Sequence, residues 1–413
     1  MADIPNSHQA KRASSESEKD LTAEIVEHGS KEQSARNDEK TNAIRLACDT
    51  HDIDALITLA TSEGGFLQDD LRQLAWPILL QFDKHAQRDA LSPEDGMPPH
   101  CDEEQVQLDV NRSFVYYPNC SEQELSLKKT NLSRVIKQVL RNFPMLCYFQ
   151  GYHDIVQVLL LVLGESQSAQ AVAQLSLLRL RDYMLPSLAP AVKHLQLIPA
   201  IIASADTDLS IRLSGTRPFF ALSATLTLYA HDIQEYSDIA RLFDFLLAWE
   251  PVVSIYLYAA IVLSRRKELL AIPLDEPEML HFTLSKLPIP LDLENLISRA
   301  VQLFHDHPPE SLPAGVWRNI PGCSVLKTSR DVSQKQSIKT AVELFYQQTN
   351  QLRREENKQK LIGFIWSHRR TIGSVAVAVF IGAMSIWIRK RGLDNSILSY
   401  ADRFRAAFQG RLF

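Results

Sequence analysis

Apolar residues recur every three or four positions along most of the chain, which is the spacing of amphipathic helices. The alternation that is typical of strands is missing, as are the Asn-Gly turns that are typical of hairpins. The spacing predicts helices over residues 42–59 (as two short helices), 67–82, 106–114, 122–142, 155–163, 169–184, 188–204, 219–230, 236–249, 252–270, 277–287 and 291–304. We therefore predict an all-α body, and its helices share no repeat length that would indicate a solenoid.

The stretch from Tyr148 to Gly164 stands out within this pattern. Between Ile155 and Leu163 every residue except Gln157 is aliphatic, so this segment is predicted to lie in the core. A polar cluster directly before it, with Gln150 at its centre, is therefore attached to a rigid element and can be aimed at a partner. The alternative is an ordinary helix entry in which an acidic side chain of the first turn complements the helix dipole. The heptapeptide alone leaves both interpretations open.

The two ends of the chain differ from the body. Residues 1–40 are polar and almost without large apolar side chains, so they are predicted to form a disordered arm. The packed domain is predicted to occupy residues 41–324, because a Pro-Gly turn and several prolines mark its end. Residues 325–370 are rich in Gln, Lys, Arg and Glu, and are predicted to form a polar helical spacer.

A single apolar segment follows the spacer. Thr371 to Ile388 carries no charge and is bounded by basic residues on both sides. At ~1.5 Å per residue it would reach about 27 Å, the thickness of a thin bilayer such as the endoplasmic reticulum. Because only a short tail, residues 389–413, follows it, we expect a transmembrane tail anchor with the domain facing the cytosol. A buried core helix is the alternative.

Composition excludes several classes of function. The net charge is -5, with both signs interspersed, so nucleic acid is not an expected partner. The five cysteines form no CxxC pair, which argues against a zinc site and against a disulfide scaffold. Phosphate-binding loops, nucleophile elbows and metalloprotease motifs are missing from the sequence, so no nucleotide site or cofactor of its own is predicted.

Three short motifs follow one another within the predicted domain. They are Arg72-x-x-x-Trp76-Pro77, Val106-x-x-Asp109-x-x-Arg112 and Tyr148-x-Gln150-Gly151-x-x-Asp154. In order and spacing they resemble the fingerprint motifs of the TBC-domain GTPase-activating proteins of Rab GTPases, with Val106 where Ile is usual. The resemblance extends over roughly residues 43–321 and implies a TBC-type helical domain.

The resemblance also implies roles for individual residues. Arg112 would be an arginine finger that stabilises charge on the transferring phosphoryl group, and Gln150 would orient the attacking water. The supporting residues would be Arg72, Trp76, Asp109, Tyr148, Gly151 and Asp154. GTP and Mg²⁺ would arrive with the partner GTPase. From the residues alone, an ordinary ion pair between Arg112 and Asp109, three positions earlier, is the favoured interpretation, and each supporting residue could equally belong to a buried ion pair or to the core.

Together with the apolar C-terminal segment, the motifs resemble most closely the endoplasmic-reticulum-anchored branch of that family, which acts on a Rab of early secretory transport. Two other functions stay open. The chain could be a non-catalytic, membrane-anchored Rab-binding scaffold, or a membrane-shaping protein that acts through the anchor and residues 397–408.

Overall fold

The computed structural model describes residues 34–82, 91–93, 96–368, 383, 384 and 386. Within this part of the chain the regular structure is helical, so the prediction of an all-α body is confirmed. The chain divides into two compact units, one ending at Thr349 and the other beginning at Asn350. The α-helices are α1 (34–50), α2 (Ile53–Thr61), α3 (Asp69–Leu79), α4 (Glu103–Asn111), α5 (Glu122–Asn142), α6 (Tyr152–Leu163), α7 (Glu165–Leu178), α8 (Ala189–Leu195), α9 (Leu197–Ala205), α10 (Thr207–Leu213), α11 (Leu222–Leu226), α12 (Tyr236–Ala248), α13 (Val253–Ser264), α14 (Arg266–Ala271), α15 (Pro277–Leu284), α16 (Leu293–Asp306), α17 (Val325–Thr328) and α18 (Ile338–Ser367).

Helix α6 is the centre of the N-terminal half. It packs against α3, α4, α5 and α7, and its side chains are buried on nearly every side. Because neighbours surround it, the helix needs no polar stripe, which explains the aliphatic run seen in the sequence. Burial of each such side chain contributes about 1.5–3 kcal/mol before the entropy of ordering is counted. The polar cluster at its N-terminus is therefore held by a rigid helix.

Helix α13 is likewise the central, buried helix of the C-terminal half, where it packs against α9 and α16. Its tyrosines are buried, and their hydroxyl groups find backbone acceptors. Tyr256 Oη donates to the carbonyl of His307 at 2.6 Å, and Tyr258 Oη donates to that of Leu284 at 2.7 Å. Helix α12 joins the two halves, because it contacts α2 and α3 as well as α16.

Both predicted domain boundaries need correction. Helix α1 is described from residue 34 onward, and residues 34–40 of it belong to the region predicted to be disordered. At the other end, packing continues beyond residue 324, since Gln348 is buried and its Nε2 donates to Asp182 Oδ1 at 2.6 Å. Arg181 Nε in turn donates to Gln348 Oε1 at 2.7 Å. These contacts are polar, so an apolar pattern could not reveal them.

The helix predicted over residues 219–230 is broken in the structure. A 3₁₀ turn (Pro218–Ala221) leads into the short helix α11, and the chain then leaves the helical conformation at Leu228 (φ 48°) and Tyr229 (φ 67°). The Tyr229 hydroxyl donates to the carbonyl of Ser254 at 2.7 Å, which holds this turn against α13. The prediction was wrong because that tertiary contact overrides the helical pattern.

No helix in the part of the chain that the structure describes has the length and apolarity to cross a membrane. The predicted transmembrane segment, residues 371–388, lies outside the described residues apart from Ala383, Met384 and Ile386, which are helical. The predicted tail, residues 389–413, and most of the predicted arm, residues 1–33, also lie outside them.

Candidate functional site

Two of the three sequence motifs meet at one cleft of about 570 Å³. Its walls are the loop that follows α4, the turn before α6, and the region of α11 with the turn behind it. Arg112 and Gln150 both line this cleft, together with Tyr116, Asp154, Gln157 and His231. The two side chains predicted to act on a partner are therefore exposed at the same place, although they are far apart in sequence.

Arg112 ends helix α4. It is the C-terminal capping residue, and its side chain is 56% exposed. Its Nη2 nevertheless donates to Asp109 Oδ1 at 2.6 Å. The ion pair considered from the sequence is thus present, and it coexists with exposure of the guanidinium to the cleft. A planar guanidinium held on one edge by a carboxylate keeps further donors free to approach a phosphate.

The Asp109 carboxylate accepts hydrogen bonds from three side chains around the cleft. It is 0% exposed, and besides Arg112 it accepts hydrogen bonds from Gln105 Nε2 at 3.0 Å and from Tyr148 Oη at 2.8 Å. Burial, together with the bond to Asp109, raises the pKa of Tyr148 well above its ordinary value, so the phenol stays protonated and donates. Asp109 therefore joins the arginine motif to the glutamine motif.

Gln150 lies in the turn that leads into α6, and its side chain is exposed. The next residue, Gly151, caps the helix with φ 96°, a conformation that side-chain-bearing residues rarely adopt. A Cβ at this position would lie 2.5 Å from Thr227 Cγ2, so the backbone also approaches the α11 region too closely for any larger residue. Upstream, the backbone N–H of Tyr148 donates to Asp102 Oδ2 at 2.9 Å. The turn is thus fixed on both sides of Gln150.

Asp154 lies in the first turn of α6 and binds two histidines. Its Oδ2 is 2.9 Å from His231 Nδ1, and its Oδ1 is 3.2 Å from His153 Nε2. The hydrogen bond to Asp154 raises the pKa of the cleft-lining His231, whereas burial lowers the pKa of His153. His153 Nδ1 lies 3.4 Å from Tyr148 Oη, so a continuous chain of polar contacts runs from Arg112 to His231.

Arg72 and Trp76 of the first motif are directed elsewhere. Arg72 Nε donates to Asp244 Oδ1 at 3.0 Å, and Trp76 Nε1 donates to the same oxygen at 2.8 Å. Asp244 lies on α12 and is fully buried. These side chains form a buried polar junction between α3 and α12, and the structure gives them no hydrogen bond to Arg112 or Gln150.

Sequence reasoning missed several residues that shape the cleft. Gln157 is buried in α6, and its Oε1 accepts from the backbone N–H of Phe114 at 2.9 Å. Its signal was present, since it is the one polar residue in an aliphatic run. Asp102 and Thr227 carried no such signal, because each acts through contacts with residues distant in sequence.

Comparison with known proteins adds independent information. A model of the Rab-GTPase-TBC domain matches residues 69–270. The chain is 33% identical over 321 residues to the GTPase-activating protein gyp10 of Schizosaccharomyces pombe, covering 77% of this chain and 86% of that protein. It is 36% identical over 270 residues to TBC1 domain family member 20 of Homo sapiens, covering 65% of this chain and 66% of that protein.

Among solved structures, the chain matches a Chlamydomonas flagellar RabGAP TBC domain at 12% identity, with a TM-score of 0.40, over 73% of this chain and 97% of that one. The assignment rests on the sequence relatives and the domain model. On their evidence, the chain belongs to the TBC-domain family of Rab GTPase-activating proteins.

Proposed function

We propose that this chain stimulates GTP hydrolysis by a Rab of the early secretory pathway, with Arg112 and Gln150 supplied in trans to the Rab nucleotide site. The observation that carries the proposal is the shared cleft, in which an exposed guanidinium and an exposed carboxamide line one surface. The alternative is a Rab-binding scaffold that leaves hydrolysis unchanged. An intact pair of fingers on rigid supports favours the catalytic function.

The chemistry fits these two groups. Hydrolysis of GTP spreads negative charge over the transferring phosphoryl group, and a cation fixed in place stabilises that charge without reorganisation. Arg112 supplies such a cation, and Asp109 limits its freedom of movement. Gln150 can both donate and accept hydrogen bonds, which is what orienting a water against a phosphorus atom requires. GTP and Mg²⁺ belong to the Rab, and the chain contributes no cofactor of its own.

The supporting residues divide into two groups. Asp109, Tyr148, Gly151 and Asp154 surround the fingers and hold the α4 end and the α6 turn together. Arg72 and Trp76 act at a distance, through the junction that joins α3 to α12. In this proposal the first group sets the geometry of catalysis, and the second sets the stability of the domain.

The test is phosphate release from a panel of GTP-loaded Rabs, with the full-length chain in detergent. We expect acceleration of at least one early secretory Rab, and a loss of about 10³-fold or more for Arg112→Ala. Gln150→Ala should also lose activity. Arg45→Ala is the matched control, because Arg45 pairs with Asp70 on an exposed surface and does not line the cleft.

Two results would overturn the catalytic proposal. One is a wild-type chain that accelerates no Rab of the panel, and the other is an Arg112→Ala variant as active as wild type. Binding of a GTP-loaded Rab without acceleration would favour the scaffold instead.

We further propose that residues 371–388 anchor the chain in the endoplasmic reticulum membrane, with the domain facing the cytosol. The support is the uncharged run between two basic clusters. An anchored domain meets an anchored Rab at high effective concentration. Replacing this segment by a soluble helix should leave hydrolysis in solution unchanged and weaken the effect in cells. Equal potency of both forms in cells would contradict this role.

A further inference from the structure

Gln157 connects the arginine loop to the helix that carries the glutamine turn. It lies on α6 and is 5% exposed, and its Oε1 accepts from the Phe114 backbone N–H at 2.9 Å. Phe114 stands two residues after Arg112. The turn that presents Gln150 lies at the N-terminus of the same helix α6. One side chain, which itself lines the cleft, thus connects the loop after Arg112 to the helix behind the Gln150 turn.

The backbone after Arg112 depends on this contact. Arg112 and Ser113 end α4 with N–H bonds to Asp109 and Val110 carbonyls, at 3.2 and 3.1 Å. Phe114 then adopts φ 59°, the left-handed region that non-glycine residues rarely occupy. Phe114 is only 7% exposed, so its backbone N–H is poorly placed to bond to water if Gln157 is lost. A buried donor without an acceptor is costly, and the chain would move to satisfy it.

The chemical identity of residue 157 matters for the same reason. Position 157 interrupts the aliphatic run of α6, and it lies one helical turn after His153 and Asp154, at the lining of the cleft. Only a side chain with an oxygen at its end can accept from Phe114. The presence of an amide in this run is therefore explained by its bond to the loop that carries Arg112.

We propose that Gln157 is a positioning residue, which holds the Arg112 loop in fixed register with the Gln150 turn so that both fingers reach one nucleotide together. This inference rests on the proposed function. It predicts that Gln157 acts on the chemical step through Arg112, and it assigns Gln157 no contact of its own with the Rab nucleotide.

The experiment compares three variants of the full-length chain. Gln157→Met keeps the length and removes the acceptor. Gln157→Glu keeps an acceptor oxygen in either protonation state. Gln174→Met is the matched control, because Gln174 is also a buried glutamine, 6% exposed on α7, and its Oε1 has no hydrogen-bond partner among the described residues. The readouts are Rab GTP hydrolysis, melting temperature, and hydrogen exchange of a peptide covering residues 112–116.

We expect Gln157→Met to lower kcat about 10- to 100-fold, as small misplacements of a catalytic group do, with KM changed less than about 2-fold. Gln157→Glu should recover most of the activity, and Gln174→Met should match wild type. In an Arg112→Ala background, Gln157→Met should cause no further loss, because the group that it positions is gone. Exchange over residues 112–116 should become faster in Gln157→Met.

Three results would overturn the inference. These are an active Gln157→Met variant with unchanged exchange, an equal loss in the Arg112→Ala background, and a loss in Gln157→Glu as large as in Gln157→Met. A wild-type chain that accelerates no Rab would instead contradict the proposed function. The exchange measurement would then still decide whether Gln157 holds the loop.

Discussion

Tyr148 and Asp109 meet across two motifs, with the phenol hydroxyl of Tyr148 donating to Asp109 Oδ2 at 2.8 Å. The carboxylate that receives this bond also receives the Arg112 guanidinium on its other oxygen. The segment in front of α6 and the end of α4 are thus joined through one buried side chain. Residues 39 positions apart in sequence become parts of one unit, and the unit carries both candidate fingers.

Removal of the Tyr148 hydroxyl tests this link. In Tyr148→Phe, Asp109 loses one of its three side-chain donors, and we expect a loss of about 1 kcal/mol of stability. We also expect kcat for Rab GTP hydrolysis to fall, because Asp109 and the guanidinium that it holds gain freedom to move. Chemical denaturation and single-turnover hydrolysis measure the two effects.

Tyr152→Phe is the control for that experiment. Tyr152 is fully buried on α6, and its hydroxyl lies 2.7 Å from Ser176 Oγ, away from the finger residues. The same atom is removed, so a similar loss of stability should occur with activity retained. If both variants lost activity in proportion to stability, the special role of the Tyr148–Asp109 bond would be refuted.

Gly151 offers a second test, because two separate constraints act on it. Gly151→Ala should cost about 1–2 kcal/mol for the left-handed backbone alone. The new Cβ would also collide with Thr227 Cγ2 at 2.5 Å. We expect this variant to be destabilised and to lose Rab-stimulating activity, because the turn that presents Gln150 must shift.

Thr227→Ser separates the two constraints. It removes Cγ2 and keeps the hydroxyl, which donates to the Ser223 carbonyl at 2.9 Å. By itself, Thr227→Ser should change neither stability nor activity appreciably. Combined with Gly151→Ala it should recover the part of stability and activity that the collision costs, and leave the part due to backbone strain. No recovery in the double variant would mean that the close approach to Thr227 is not a cause of the defect.

The sequence was sufficient to predict the helical body. The burial of helix α6 was predictable because eight of the nine residues from Ile155 to Leu163 are aliphatic. The cleft itself was expected only through the resemblance, since no local pattern shows that Arg112 and Gln150 share a surface. Its finer construction was not predictable. Asp102 and Thr227 act on the Gln150 turn through contacts that only the folded chain creates.

The first motif also shows where prediction from the sequence ends. Arg72 and Trp76 were grouped with the finger supports because of their motif. In the folded chain they bond to Asp244, a residue in a helix that lies far along the sequence. Motif membership therefore did not distinguish a residue near the cleft from one that joins two helices. Gln157 was the opposite case, since its chemistry was visible and its partner, a backbone N–H, was not.

The pKa values of the two histidines around Asp154, His153 and His231, should be shifted in opposite directions. The hydrogen bond to Asp154 raises the pKa of His231, and burial lowers that of His153, relative to the ordinary value of about 6.5. NMR titration of the imidazole resonances should show one midpoint on each side of that value. Asp154→Asn should move the His231 midpoint downward, because it removes the charge that favours the imidazolium.

The same shifts predict a pH dependence of stability. His231 binds its proton more tightly in the folded state, so its contribution is fully present below about pH 6.5 and is lost as pH rises through its raised pKa. The stability difference between wild type and His231→Gln should therefore shrink from pH 5.5 to pH 8.5 in urea denaturation. His153 acts in the opposite sense: its contribution is fully present above about pH 6.5 and is lost as pH falls through its lowered pKa. A difference that stays constant over this range would contradict the His231–Asp154 interaction.

The Arg72–Asp244 junction should govern stability and leave catalysis unchanged. Asp244 is fully buried, and it accepts from Arg72, from Trp76 and from the backbone N–H of Phe66 at 3.0 Å. Arg72→Ala leaves this carboxylate without its cation, which typically costs about 3–5 kcal/mol. Denaturant unfolding should show that loss. At 10 °C, where more of the variant stays folded, kcat per folded molecule should equal that of wild type, because neither Arg72 nor Asp244 lines the cleft.

Trp76→Phe removes one neutral donor to Asp244 and keeps an aromatic ring beside Phe243. This variant should lose about 1–2 kcal/mol of stability, again with unchanged kcat. A fall in kcat for the folded fraction of either variant would show that Arg72 and Trp76 also hold Arg112 and Gln150 in position.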